Sequence, residues 1–155
     1  HEGIVASTTT DKKKKNNQIT GNVGLFYCCH QLSLGGWNVM PTSRNTYGID
    51  IIAYNSDASR IITIQAKTLS GESAVPLNKN LDKVTGDYWV VITNAYSSEP
   101  PVYLLPPKDV KELAESSGKD EKKSYWLEHK RYAQPKYSDA WLELKNALQE
   151  PAHTA

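Results

Sequence analysis

At 155 residues and 17.3 kDa, with 39% apolar and 23% charged side chains, the chain suits one globular domain with a real core. It has no run of about 18 apolar residues, which excludes a membrane-spanning helix, and its first residues lack the basic-then-apolar order of a secretory leader. A net charge of +1 neither favours nor excludes a polyanionic partner, and only a local patch would serve one.

Residues 1–80 carry eight Lys/Arg against five Asp/Glu, and residues 81–155 carry ten against twelve. The first half is therefore mildly basic, largely through Lys12–Lys15. Residues 1–17, with "STTTDKKKKNN", show no apolar periodicity and are expected to form a flexible polar arm. A lysine run of this kind is usually a solvated tail; direct binding of phosphate is the sharper alternative.

From Ile19 the pattern turns helical. Ile19, Val23, Phe26 and Tyr27 build one apolar stripe, Asn17 or Thr20 can cap the start, and Gly35-Gly36 ends the run. Gly21 and Gly24 each cost about 1 kcal/mol relative to alanine inside a helix. They predict close packing of a strand on the helix, with approach of a ligand as the alternative. "GWNVMPT" reads as a short strand, and the polar loop "SRNTYG" leads to "IDIIAYN", the turn "SDAS" and "RIITIQAKT", an Ile-rich hairpin.

"LSGESAVPLNKNLDKVTG" reads as a long polar connection with weak helical character. "DYWVVIT" has the apolar run of a strand buried on both faces, and "PPVYLLPP" is a strand fenced by prolines. "KDVKELAESSG" predicts a short helix ended by Gly118, and "KSYWLEHKRY" a final edge strand whose exposed edge, Trp126 to Tyr132, would suit a homodimer. "YSDAWLELKNALQE" predicts an amphipathic helix capped by Ser138, with Trp141, Leu142, Leu144 and Leu148 on its apolar side. The order predicts an α/β sandwich with a central mixed sheet: an arm over 1–17, one domain over 18–150 and a tail over 151–155. Phosphate-cradling GxxxxGK[ST] and GxGxxG loops are absent.

The cysteines, Cys28 and Cys29, are sequence neighbours and poorly placed to pair, which points to a reducing, cytoplasmic protein. A zinc site from Cys28, Cys29 and His30 is disfavoured, because consecutive helical residues point in different directions. His129 and His153 lie in polar contexts, and no Ser/His/Asp set stands out. Trp37, Trp89, Trp126 and Trp141 read as packing aromatics, with base stacking the less favoured role.

The hairpin holds the strongest chemical pattern. Gln65 and Lys67, two apart on one strand, project to the same face, and Asp50 on the preceding strand would converge on them. A hard cation such as Mg²⁺ takes oxygen ligands, here the Asp50 carboxylate, the Ala66 carbonyl and the Gln65 amide, with water completing the shell. A neighbouring lysine orients the attacking water and offsets charge that develops on a phosphate. Without this chemistry, Lys67 would be a strand-end lysine reaching for water and Asp50 a satisfied acid at a strand start.

Gly48-Ile49-Asp50 followed by Gln65-Ala66-Lys67 resembles the PD-(D/E)XK, or restriction endonuclease-like, nuclease superfamily. The likeness is greatest to the branch with Gln-x-Lys in place of Glu-x-Lys, as in Mrr-type endonucleases, and extends to the architecture of archaeal Holliday-junction resolvases. It covers roughly residues 18–95. "TGNVGL", "GWNVMPTSRN" and "GIDIIAYN" are also similar to stretches of a group of small bacterial proteins. The resemblance implies a restriction endonuclease-like three-layer α/β/α sandwich and metal-dependent cleavage of DNA with Mg²⁺ or Mn²⁺. In it Asp50 and Gln65 would be metal ligands beside the Ala66 carbonyl, and Lys67 the catalytic lysine. It also makes a homodimer an expectation. Many relatives add a glutamate from the first helix, whereas residues 18–34 here contain no acid. A nucleic-acid-binding or protein-interaction module with a decayed site is the alternative. Arg44 and Asn45 in the loop before Asp50, and Lys79 after Lys67, are the expected DNA contacts.

Overall fold

The computed structural model describes residues 9–43 and 48–150, with side chains from residue 16 onward. Helix α1 (Thr9–Leu34) leads into strands β1 (Asn38–Pro41), β2 (Ile51–Tyr54) and β3 (Ile61–Thr68), an antiparallel meander. Then come β4 (Val75–Asn78), β5 (Tyr88–Ile92), β6 (Val102–Leu105), α2 (Pro107–Leu113), β7 (Glu115–Ser117), β8 (Ser124–Leu127), α3 (His129–Tyr132) and α4 (Ala140–Ala147). The central sheet runs β1-β2-β3-β5-β6, with β5 parallel to β3 and the other neighbours antiparallel. It is a mixed sheet in an α/β sandwich, as the sequence predicts.

Alternation along the strands sorts two cores. Ile51, Ala53, Ile62, Ile64, Val90 and Ile92 face α1 and α4, meeting Cys28, Leu32, Ala140 and Leu144. Trp89, Val91 and Leu105 face the other way, onto Val75, Leu77, Val110, Leu127 and Tyr132. Each fully buried large apolar side chain stabilises the fold by about 1.5–3 kcal/mol. The hydroxyl of Tyr137, in the second core, donates to Asp109 Oδ2 at 2.7 Å. Burial and that carboxylate push its own ionisation up to about 12.

Several expected elements take another form. The helix begins at Thr9, inside the segment expected to be a flexible arm. Its buried line is Thr20, Gly24, Cys28 and Leu32, spaced by four, while Phe26 of the expected stripe is 61% exposed. A Cβ at Gly24 would run into the Thr68 side chain, so this glycine lets β3 pack close; Gly21 faces open space.

The outer face of the sheet is not covered by helices alone. The connection after β3 contains β4, which joins β8 and β7 in a second, three-stranded sheet of order β4-β8-β7. The helix expected to reach Gly118 stops at Leu113, because Glu115–Ser117 pairs with β8. The strand expected over 123–132 forms over Ser124–Leu127 as β8, but it is the middle strand of its sheet rather than an edge, and residues 129–132 are helical. Ser138 donates to the Pro135 carbonyl at 2.7 Å rather than capping α4, and Leu142 of the expected apolar side is 58% exposed. Among the described residues, no helix is long and apolar enough to cross a membrane.

Candidate metal and nucleic-acid site

β2 and β3 separate at Asp50. The Asp50 amide still donates to the Ile64 carbonyl at 2.9 Å, and its carbonyl accepts from the Thr42 amide at 2.9 Å, so its backbone is fixed from both sides. Among the described residues, no strand pairs with β3 on that side beyond this point. The Asp50 side chain fills the first vacant ladder position, with Oδ2 accepting the Ala66 amide at 2.8 Å. In an antiparallel ladder a residue's N–H and C=O point the same way, so the Ala66 carbonyl opens toward the fork that the Asp50 carboxylate occupies.

Burial raises the Asp50 carboxyl above its ordinary range, against the pull of the Ala66 amide and the Lys67 ammonium. Its charge also reaches α1: burial first, then Cys29 and Asp50, push the Cys28 thiol far up. Cys28 and Cys29 are free, buried thiols and His30 is exposed, so the three do not gather into a zinc site.

Lys67 lies half-buried with Nζ 5.3 Å from the centre of the Trp89 ring. Trp89 is itself held by its indole N–H on the Thr85 carbonyl at 3.2 Å. The aromatic face restricts where the ammonium can go.

Gln65 is held in place by the protein. Its side chain is 2% exposed and its Oε1 accepts the Thr85 amide at 3.1 Å, so the oxygen expected on a metal is engaged with the protein. Gly48, at φ +80°, rests on the Gln65 amide, where a Cβ would collide. Gln65 thus ties β3 to the 83–86 loop and to the segment that delivers Asp50. The glycine before the acid, part of the sequence motif, is required by this contact as well as by its backbone.

Arg44 and Asn45 lie outside the described residues. Lys79 is exposed and joins a wider feature. Three adjoining hollows run beside β4. The first, about 360 Å³, is lined by residues that include Asn17, Thr20, Lys67, Ser70 and Asn78. The second, about 80 Å³, lies between Gly48, Gln65, Lys67, Asn78, Lys83 and Trp89. The third, about 590 Å³, holds Leu77, Asn78, Lys79, Asn80, Lys83 and Ser124.

Asn78 lines all three, at φ +65° beside the irregularity where β4 slips against β8 between Pro76 and Asn78. Such bulges re-aim side chains. Among the described residues, lysines, amides and hydroxyls line the trough together with apolar side chains such as Leu69, Val75 and Leu77, and no carboxylate does. This was legible only in part: Lys79 and Lys83 stand in the sequence, but β4 does not announce itself.

Among the described residues, no three His, Cys, Asp or Glu side chains gather as a metal cluster. The donors at hand are the Asp50 carboxylate and the Ala66 carbonyl. They suit Mg²⁺ in its usual protein mode, with one or two carboxylates, several retained waters and substrate phosphates. They do not suit a closed, all-protein cage. No protein-family profile matches the chain, and no curated protein is significantly similar to it in sequence.

Proposed function

We propose that this protein is a metal-dependent DNA endonuclease of the PD-(D/E)XK type, working in the reducing cytoplasm. The observation that carries the reading is the Asp50 carboxylate bonded to the Ala66 amide at the β2–β3 fork, one residue along the strand from Lys67, which also lines the trough of lysines, amides and hydroxyls. Mg²⁺ or Mn²⁺, held by Asp50 and the Ala66 carbonyl, would polarise the scissile phosphate and lower the pKa of a bound water.

The remaining work falls to the chain. Lys67 donates to the attacking water or a phosphate oxygen, and its charge offsets the charge that develops there. The Ala66 amide fixes one oxygen of Asp50 and leaves the other for a ligand. Gln65 and Gly48 keep the acid at the fork. Lys79 and Lys83 take phosphates along the trough.

Supercoiled plasmid incubated with Mg²⁺ or Mn²⁺ tests the reading. Wild type should nick or linearise it, while EDTA or Lys67→Ala should leave it intact. Uncut plasmid with folded wild-type protein would remove catalysis. The engaged Gln65 and, among the described residues, the lack of any cluster of three metal-ligating side chains favour a different reading, a binding module on the same fold. DNA binding without cleavage under those conditions would support that reading.

A further inference from the structure

The trough ends at an exposed ring. Thr20, which lines the first hollow, shares a hydrogen bond with the Tyr96 hydroxyl at 2.9 Å. Tyr96 itself is 60% exposed. Its turn is bonded to the rim of the same hollow: the Ala95 amide donates to Leu69 O at 3.1 Å, and the Asn94 amide to Gly71 O at 3.3 Å. A tyrosine held by its hydroxyl, with the ring in solvent, is placed to present an apolar face rather than to pack.

Of the carboxylates on the loops at this rim, Glu72 accepts the Asn94 side-chain amide at 3.4 Å and lies 3.8 Å from His129, while the exposed Glu99 lines a separate hollow with Tyr27 and Trp141. From this rim the polar lining passes Lys67 and Asn78 to Lys83 and Lys79. Aromatic residues deeper in the trough do not offer a free ring; Trp89 is 2% exposed and faces Lys67.

A cationic groove that follows a backbone, with an aromatic face for an unpaired base, is how proteins hold a single strand. In a duplex the bases are stacked on one another and give a protein ring no face to cover. We propose that the trough beside β4 is a track for one strand of DNA and that Tyr96 is the platform on which an unpaired base stacks. This rests on the trough being the nucleic-acid path of the proposed nuclease, and it is independent of whether that site cuts.

Anisotropy of a labelled oligodeoxythymidine, measured in EDTA so that no cleavage occurs, tests it against a duplex of the same length. Wild type should bind the single strand more tightly. Tyr96→Ala should lose about five- to a hundredfold in affinity for it, the effect of removing one stacked base. Tyr96→Phe keeps the ring and should retain most of the affinity. Circular dichroism melts confirm that both variants are folded, as exposure of Tyr96 leads one to expect. Equal binding by Tyr96→Ala and wild type, tighter binding of the duplex, or no binding of the single strand would each overturn the proposal. Tyr96-dependent binding without cleavage in Mg²⁺ would leave the track standing and remove the nuclease. Cleavage in Mg²⁺ by a protein whose single-strand binding is indifferent to Tyr96→Ala would do the reverse.

Discussion

Replacing Gly48 by alanine perturbs the segment that delivers Asp50 at its tightest contact. Gly48 has φ +80°, and holding an L-residue in the left-handed region costs about 1–2 kcal/mol. The new Cβ would also meet the Gln65 amide, which is buried and bonded to the Thr85 amide. Moving that amide leaves a buried polar group unpaired, which costs about 1–3 kcal/mol more. Together these give a loss of roughly 2–5 kcal/mol, or about 5–15 °C in melting temperature for a chain of this size.

Urea unfolding followed by tryptophan fluorescence reads the loss directly, and Gly21→Ala is the matched control. A Cβ at Gly21 meets nothing, so that variant should gain about 0.5–1 kcal/mol from helix propensity alone. A Gly48→Ala protein with the wild-type urea midpoint would refute the role assigned to Gln65 and Gly48.

Asp50→Asn should stabilise the protein at neutral pH while ending its cleavage. Burial raises the folded carboxyl above its unfolded value, so the wild type loses stability as pH rises from the unfolded through the folded pKa. Urea midpoints across pH should show that decline in wild type and a flatter curve in Asp50→Asn. Gly24→Ala should destabilise by forcing the Thr68 side chain out of its place against α1, seen as a lower melting temperature. Lys79→Ala and Lys83→Ala should each weaken single-strand binding and flatten the plot of log affinity against log salt by about 0.7; unchanged slopes would remove these lysines from the path.

The central sheet was legible because its signals are local. The Ile-rich runs on either side of "SDAS" form β2 and β3, and Gly36, at φ +102°, follows α1 as expected. The start of α1 was not, because the helix continues into a lysine run without apolar periodicity. Its buried face was missed because it uses Thr20, Gly24 and Cys28, residues that a hydropathy stripe passes over.

The second sheet was hidden for another reason. A strand was expected where β8 lies, but its partners β4 and β7, four and three residues long, exist only through pairing with it, at separations that no local pattern encodes. At the site, spacing identified Asp50, Gln65 and Lys67 as neighbours. It did not show the bond that holds Gln65, since its partner Thr85 lies twenty residues along the chain.

The most direct test of the Asp50 fork is a calorimetric titration of Mn²⁺ into Lys67→Ala protein saturated with oligodeoxynucleotide, beside the Asp50→Asn/Lys67→Ala double variant and the oligonucleotide alone. Loss of Lys67 prevents cleavage without removing the metal donors. The fork predicts a cation site in the Lys67→Ala complex that is absent from both controls. Identical titrations of the two protein complexes would contradict it.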